Sequence, residues 1–140
     1  MKPRITVITL AVSDLERSLV FYRDGLGLAT SGITGTKYPI GACVFFNLDG
    51  GLKLALWPRS SLVADTGLPA DGPAATEVLI AHNVGSEDEV REVLAQAQAA
   101  GGRIVKAAQP TFWGGYGGYF KDLDGHVWEV VFNPHLQGLE

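Results

Sequence analysis

The chain is short of several residues that usually announce a function. Among its 140 residues there is one cysteine, Cys43. A lone thiol closes no intrachain disulfide and builds no paired-cysteine zinc site, and it suits a reducing compartment. Long apolar runs are missing too. The stretch at residues 5–12 is interrupted by Thr6 and Thr9 and stops at Ser13 and Asp14. It is too short for a bilayer and has no small-residue cleavage site, so no membrane anchor or export signal is expected. Basic residues are in deficit, 11 Lys and Arg against 15 Asp and Glu, for a formal charge of −4. Broad phosphate binding needs a basic face, so nucleic acid is not an expected partner. With no membrane or export signal read in the sequence, a cytoplasmic location is the expectation. The three histidines, His82, His126 and His135, show no close metal-ligand spacing of the HExxH kind.

What is present is a foldable composition, 46% hydrophobic, on a length that supports one core and hardly two. Residues 5–12 read as a β-branched strand, and Ser13 to Glu16 as a capping box. Leu15, Leu19, Tyr22 and Leu26 follow at helical spacing, with Gly25 and Gly27 as the stop. Residues 28–40 read as a poorly marked strand and a loop. Residues 42–48 and 52–57 read as a hairpin around the turn chemistry of Asp49-Gly50-Gly51. Residues 58–75 hold three prolines without a clear period and read as a linker or mobile edge.

The second half repeats the plan. Residues 77–84 form a strand, and Ser86 to Glu89 form a second capping box. A helix with Val90, Leu94 and Ala97 inward then stops at Gly101-Gly102. Strands are expected at 103–106, 117–121 and 126–132. The ten residues from Phe45 align with the ten from Phe120 at an offset of 75, with four identities. A strand–helix–strand–strand–strand order in both halves makes internal duplication the reading. The expectation is one α+β domain over 1–140, built of module 1 (1–57), a linker (58–75) and module 2 (76–135), two tandem βαβββ modules in a curved mixed sheet around a cavity.

Val12 to Ser18, Phe21 to Leu28 and Asp122 to Glu129 carry a family likeness. The pattern resembles the vicinal oxygen chelate superfamily: glyoxalases, extradiol dioxygenases, fosfomycin-resistance enzymes and bleomycin-binding proteins. The resemblance implies two βαβββ modules, usually a homodimer, and a pocket with or without a divalent metal. Metal-using members place ligands on the first and last strands of each module. Glu129 matches the final carboxylate, and Val7 matches the first-strand histidine. The repeat register puts Leu54, beside Lys53, at the place equivalent to Glu129, and the remaining position falls near Leu79, or at Glu77 if the register slips. Val7 and Leu54 offer no ligand atom, so the expectation is a broken metal site and no cofactor.

Several candidate residues follow. Strand alternation groups Glu129 with Val127 and Val131, as a cavity acid or base, a ligand anchor, or an inherited carboxylate satisfied by backbone or water. His82 reads as a core histidine in preference to a ligand, and His126 as structural. His135 reads as solvent-exposed, and Lys53 as solvated on the outer face. Cys43 has no visible activator. Trp113 and Tyr116, in the aromatic and glycine-rich segment 111–119, are expected to touch a small aromatic or amphipathic ligand or to plug the sheet. Phe45 and Trp57 are read as lining the corresponding first-module region and Tyr38 as closing the loop, each as packing in preference to recognition, and Glu77 is a further cavity candidate or a solvated strand start. The function expected is metal-independent small-molecule binding of the glyoxalase/bleomycin-resistance type, with Glu129 as polar anchor. The alternatives are a metal-dependent lyase, isomerase or dioxygenase recruiting Glu77, His82 and Glu129, and an interaction module.

Overall fold

The computed structural model describes residues 1, 3, 6–67 and 78–135. The chain divides into two compact units, Met1–Gly72 and Pro73–Glu140. In the first, β1 (Val7–Val12) leads into α1 (Leu15–Val20), which continues as one wider turn over Phe21–Gly25. Then come β2 (Thr30–Thr34), β3 (Cys43–Asn47), β4 (Lys53–Pro58) and α2 (Arg59–Thr66). The second unit runs β5 (Leu79–Val84), α3 (Glu87–Ala99), β6 (Arg103–Pro110), β7 (Tyr116–Lys121) and β8 (Val127–Phe132). Each unit holds a four-stranded mixed sheet, ordered β1-β4-β3-β2 and β5-β8-β7-β6. The first and last strands of each unit pair in parallel, and the other pairs are antiparallel. The βαβββ order expected from the duplication is therefore present twice.

Local chemistry explains the helix starts. Ser86 caps α3 by accepting from the Glu89 amide at 3.2 Å, and the Glu89 carboxylate reaches back to the Gly85 amide at 3.0 Å. Val90, Leu94 and Ala97 are the buried stripe of α3, as their spacing implies. The α1 cap is one residue later than the Ser13 expected: Asp14 is the cap, and its carboxylate accepts from the Arg17 amide at 3.1 Å. Either residue satisfies the cap chemistry, and the helix begins where β1 releases the chain. Among the described residues no helix is long and apolar enough to cross a membrane.

The stretch read as a linker holds a helix. Pro58 presets the entry to α2, and Gly67, at φ 71°, closes it in the left-handed conformation that glycine adopts cheaply. Arg59 ties α2 to the end of β1, donating to Ser13 Oγ at 2.9 Å and to the Ala11 carbonyl at 3.5 Å. No residue of α2 is fully buried, so no apolar period exists to announce it. Residues 68–75 of the linker reading lie outside the described residues.

Candidate functional site

Two close contacts decide which way each sheet faces. In the second unit a β-carbon on Gly118 would stand 2.7 Å from Leu94 Cδ1, so Gly118 looks at α3. Its ladder partner Val130 looks the same way, and alternation turns Glu129 and its partner Tyr119 to the helix-free face. In the first unit the Tyr22 ring, which follows α1, lies 5.9 Å from the Phe46 ring. Phe46 pairs with Leu54, which pairs with Ile8, so all three belong to the helix-covered face.

That geometry corrects the register. Val12 pairs with Pro58 and Val84 with Phe132, so β4 and β8 correspond at an offset of 74 (132 − 58 = 74). The matching Asp-Gly pairs of the two turns are 75 apart (124 − 49 = 75). One residue of slip exchanges the faces of a strand. Leu54 is therefore buried under the helix, and Ala55 stands where Glu129 stands in β8. Lys53 moves with it. Lys53, expected on the outer face, shares the helix-free face with Val7, Ala55, Phe45 and Trp57, and its ammonium stands 5.8 Å from the Phe45 ring centre.

Around Glu129 the helix-free face of the second unit combines hydrocarbon with polar groups, Asn83 on β5, Tyr119 and Lys121 on β7 and Lys106 on β6. Ala81 is its partner on β5, and Val127 and Val131 flank it on β8. Leu79 lies diagonally across, 47% exposed. Glu129 is half-buried. Among the described residues its one hydrogen bond comes from the Tyr119 hydroxyl, which lies 3.5 Å from Oε1. Burial first, then the charge of Glu129 and the bond to it, push the Tyr119 phenol above its ordinary value. The phenol therefore stays protonated at neutral pH. Tyr119 is the site residue that sequence reasoning missed. Alternation alone groups it with Gly117 and Lys121, but only the ladder register shows that it faces Glu129.

The other candidates scatter. Tyr116 faces α3, on the side opposite Glu129; its hydroxyl accepts from Arg91 Nη1 at 2.8 Å, and Arg91 also pairs with Asp88. Trp113 lies at the mouth of the β6–β7 hairpin, with its ring over Gly115, and the hairpin is held by the Thr111 hydroxyl accepting from the Gly115 amide at 2.8 Å. Trp57 is anchored by its indole N–H donating to the Ile40 carbonyl at 2.9 Å. Phe45 and Tyr38 are exposed, and the Lys37 ammonium stands 5.2 Å from the Tyr38 ring centre. Glu77 lies outside the described residues.

His82 is exposed, where a core histidine was expected, because β5 is an edge strand of its sheet. Its partner Val130 places it on the α3 side, so it does not share a face with Glu129. His126 is structural, as read. The buried Asp122 carboxylate accepts from the His126 amide at 2.8 Å and the Asp124 amide at 3.0 Å, with His126 Nδ1 2.6 Å away. Burial raises the Cys43 thiol pKa, which disfavours the thiolate.

The family model of the Glyoxalase/Bleomycin resistance protein/Dioxygenase superfamily matches residues 4–130. The chain belongs to that superfamily. Among solved structures it is similar to a glyoxalase-related enzyme from Fulvimarina pelagi, with 35% identity and a TM-score of 0.81 over 94% of this chain and 89% of that one. It is also similar to a glyoxalase/bleomycin resistance protein/dioxygenase from Nocardioides, with 28% identity and a TM-score of 0.75 over 99% and 87%. A lactoylglutathione lyase from Agrobacterium tumefaciens matches at 25% identity and a TM-score of 0.65, covering 94% of each chain. No protein of curated function matches the chain.

The superfamily includes metal-using members, and the donor chemistry of this glyoxalase-superfamily chain does not fit that use. Of the positions that the family resemblance assigns to metal ligands, Val7, Ala55 and Leu79 end in hydrocarbon and Glu129 carries a carboxylate, while Glu77, the alternative to Leu79, lies outside the described residues. A divalent cation requires several oxygen, nitrogen or sulfur donors at once. Among the described residues no group of three or more His, Cys, Asp or Glu comes together to hold one.

Proposed function

We propose that this chain is a metal-independent small-molecule binding protein of the glyoxalase/bleomycin-resistance type, with Glu129 as the polar anchor of its ligand. The observation that carries the reading is the half-buried carboxylate on the helix-free face, flanked on its own strand by Val127 and Val131, with one long hydrogen bond from Tyr119. A carboxylate so placed costs desolvation and is left with acceptor capacity that a ligand can use. Leu79, Ala81 and Val127 offer the apolar surface on which the ligand body rests. Trp113 is the aromatic contact proposed in the same unit, and Phe45, Trp57 and Tyr38 are proposed as aromatic contacts of the first unit, for an aromatic or amphipathic ligand.

Val7 and Phe45 in one unit and Leu79 in the other are exposed apolar side chains on helix-free faces, and they support assembly as a homodimer. The single Cys43 suits the cytoplasm. The test of function is calorimetric titration of a panel of aromatic and amphipathic compounds into the purified protein with a chelator present. The reading requires saturable binding that weakens in Glu129→Gln. Binding that appears only when a divalent metal is restored would instead favour a metal-dependent lyase, isomerase or dioxygenase.

A further inference from the structure

The Glu129 carboxylate and the Tyr119 hydroxyl present two oxygens 3.5 Å apart on one face of the β7–β8 pair. Each is half-buried, and each stands on a strand rather than a loop, so the pair is held by the ladder. That separation is long for a hydrogen bond between oxygens, which prefers about 2.7–2.8 Å. It is a spacing that one N–H donor group can bridge, with an ordinary bond to each oxygen.

Charge selects what bridges it. Among the described residues no Lys, Arg or His forms an ion pair with Glu129; the ion pairs there are Arg23 with Asp24, Arg91 with Asp88, and His126 with Asp122. Lys121 shares the helix-free face with Glu129, on the rung of Val127, but makes no ion pair with it. Lys106 is the ladder partner of Tyr119 on β6, is exposed, and makes no ion pair with Glu129 either. On its own strand, Glu129 has Val127 and Val131 as same-face neighbours, and on β5 it has Ala81. Among the described residues the carboxylate thus has no ion-pair partner, and on a half-buried site a matched cation gains more than in water.

We propose that the ligand of this site carries a protonated amine or guanidine next to an apolar or aromatic body, and that Tyr119 is the second residue that selects it. This rests on Glu129 being the ligand anchor. The cationic group donates to the Glu129 carboxylate and to the Tyr119 oxygen together, while the body lies over Leu79, Ala81 and Val127. Tyr119 acts as an uncharged acceptor in this arrangement, and its own proton is free to turn to the carboxylate or to water. Anionic bodies of the same shape are rejected by Glu129, and neutral ones gain only ordinary hydrogen bonds.

The test uses four probes of matched shape: benzylguanidine, benzylamine, benzyl alcohol and benzoate. Calorimetry of the full-length protein is expected to show the two cations binding at least about tenfold more tightly than the alcohol and benzoate, the size of one charge-assisted hydrogen bond. Glu129→Gln is expected to remove that preference, and Tyr119→Phe to weaken the cations about threefold. A spectroscopic readout separates recognition from mere packing. Benzylguanidine, still protonated where tyrosine titrates, is expected to lower the midpoint of Tyr119 ionisation, and to leave it unmoved in Glu129→Gln. Alcohol or benzoate binding as tightly as the cations, with Glu129-dependent affinity, would overturn the cation preference and leave the anchor reading standing. Absence of saturable binding by either cation would overturn the proposal. Cation binding indifferent to Glu129→Gln would overturn both.

Discussion

Gly118 and Leu94 mark the place where α3 comes closest to its sheet: a β-carbon at Gly118 would stand 2.7 Å from Leu94 Cδ1 and 2.6 Å from the Lys106 carbonyl oxygen. One of those neighbours is backbone and cannot swing aside. Gly118→Ala is expected to cost about 1–3 kcal/mol, the usual penalty for overpacking. Urea unfolding reads the loss as a lower midpoint at unchanged slope. A neutral outcome would mean that α3 does not sit on the face that this contact assigns to it.

Tyr119 provides a pH signature. Its phenol is held above the ordinary value of 10.0, by burial first and then by the charge of Glu129. The folded chain therefore holds this proton more tightly than the unfolded chain does. The associated stability is complete below the ordinary tyrosine value and is lost as pH rises through it toward the folded value. Alkaline titration of tyrosinate absorbance is expected to show one late component that disappears in Tyr119→Phe and moves to lower pH in Glu129→Gln. A component unmoved by Glu129→Gln would show that the two side chains do not sense each other.

The buried Asp122 carboxylate is the keystone of the β7–β8 turn, accepting from two backbone amides and lying 2.6 Å from His126 Nδ1. Asp122→Ala strands those donors and is expected to cost about 2–4 kcal/mol, since each bond to a charged acceptor is worth about 1.5–3 kcal/mol. Asp122→Asn keeps one acceptor oxygen and is expected to recover part of the loss. Equal stability of all three proteins in urea would contradict that role.

Ser86 closes the first turn of α3 through its hydroxyl. Ser86→Ala is expected to lower stability by about 1 kcal/mol, and Ser86→Asp to retain most of it. Thermal unfolding of both variants checks the cap, with a loss restricted to the alanine variant as the expected outcome.

The sequence carried the parts of this fold that depend on local chemistry. The Ser86 cap, the Val90, Leu94 and Ala97 stripe and the strand order can all be read from neighbours a few residues apart. The helix α2 was not legible, because it buries no residue fully and so has no apolar period. The site was legible in part. Glu129 was found by alternation within one strand, whereas Tyr119 required the pairing of β7 with β8. Leu54 was misplaced because the Asp-Gly signals of the two turns sit one residue out of step with the ladders they join. Turn chemistry marks where the chain reverses, and hydrogen-bond register decides which face a side chain joins.

The most direct measurement is calorimetric titration of zinc, nickel and manganese into metal-depleted protein and into its Glu129→Gln variant. With Val7, Ala55 and Leu79 lacking donor atoms, the account predicts no stoichiometric binding that depends on Glu129. One ion bound per chain, and lost in Glu129→Gln, would contradict it.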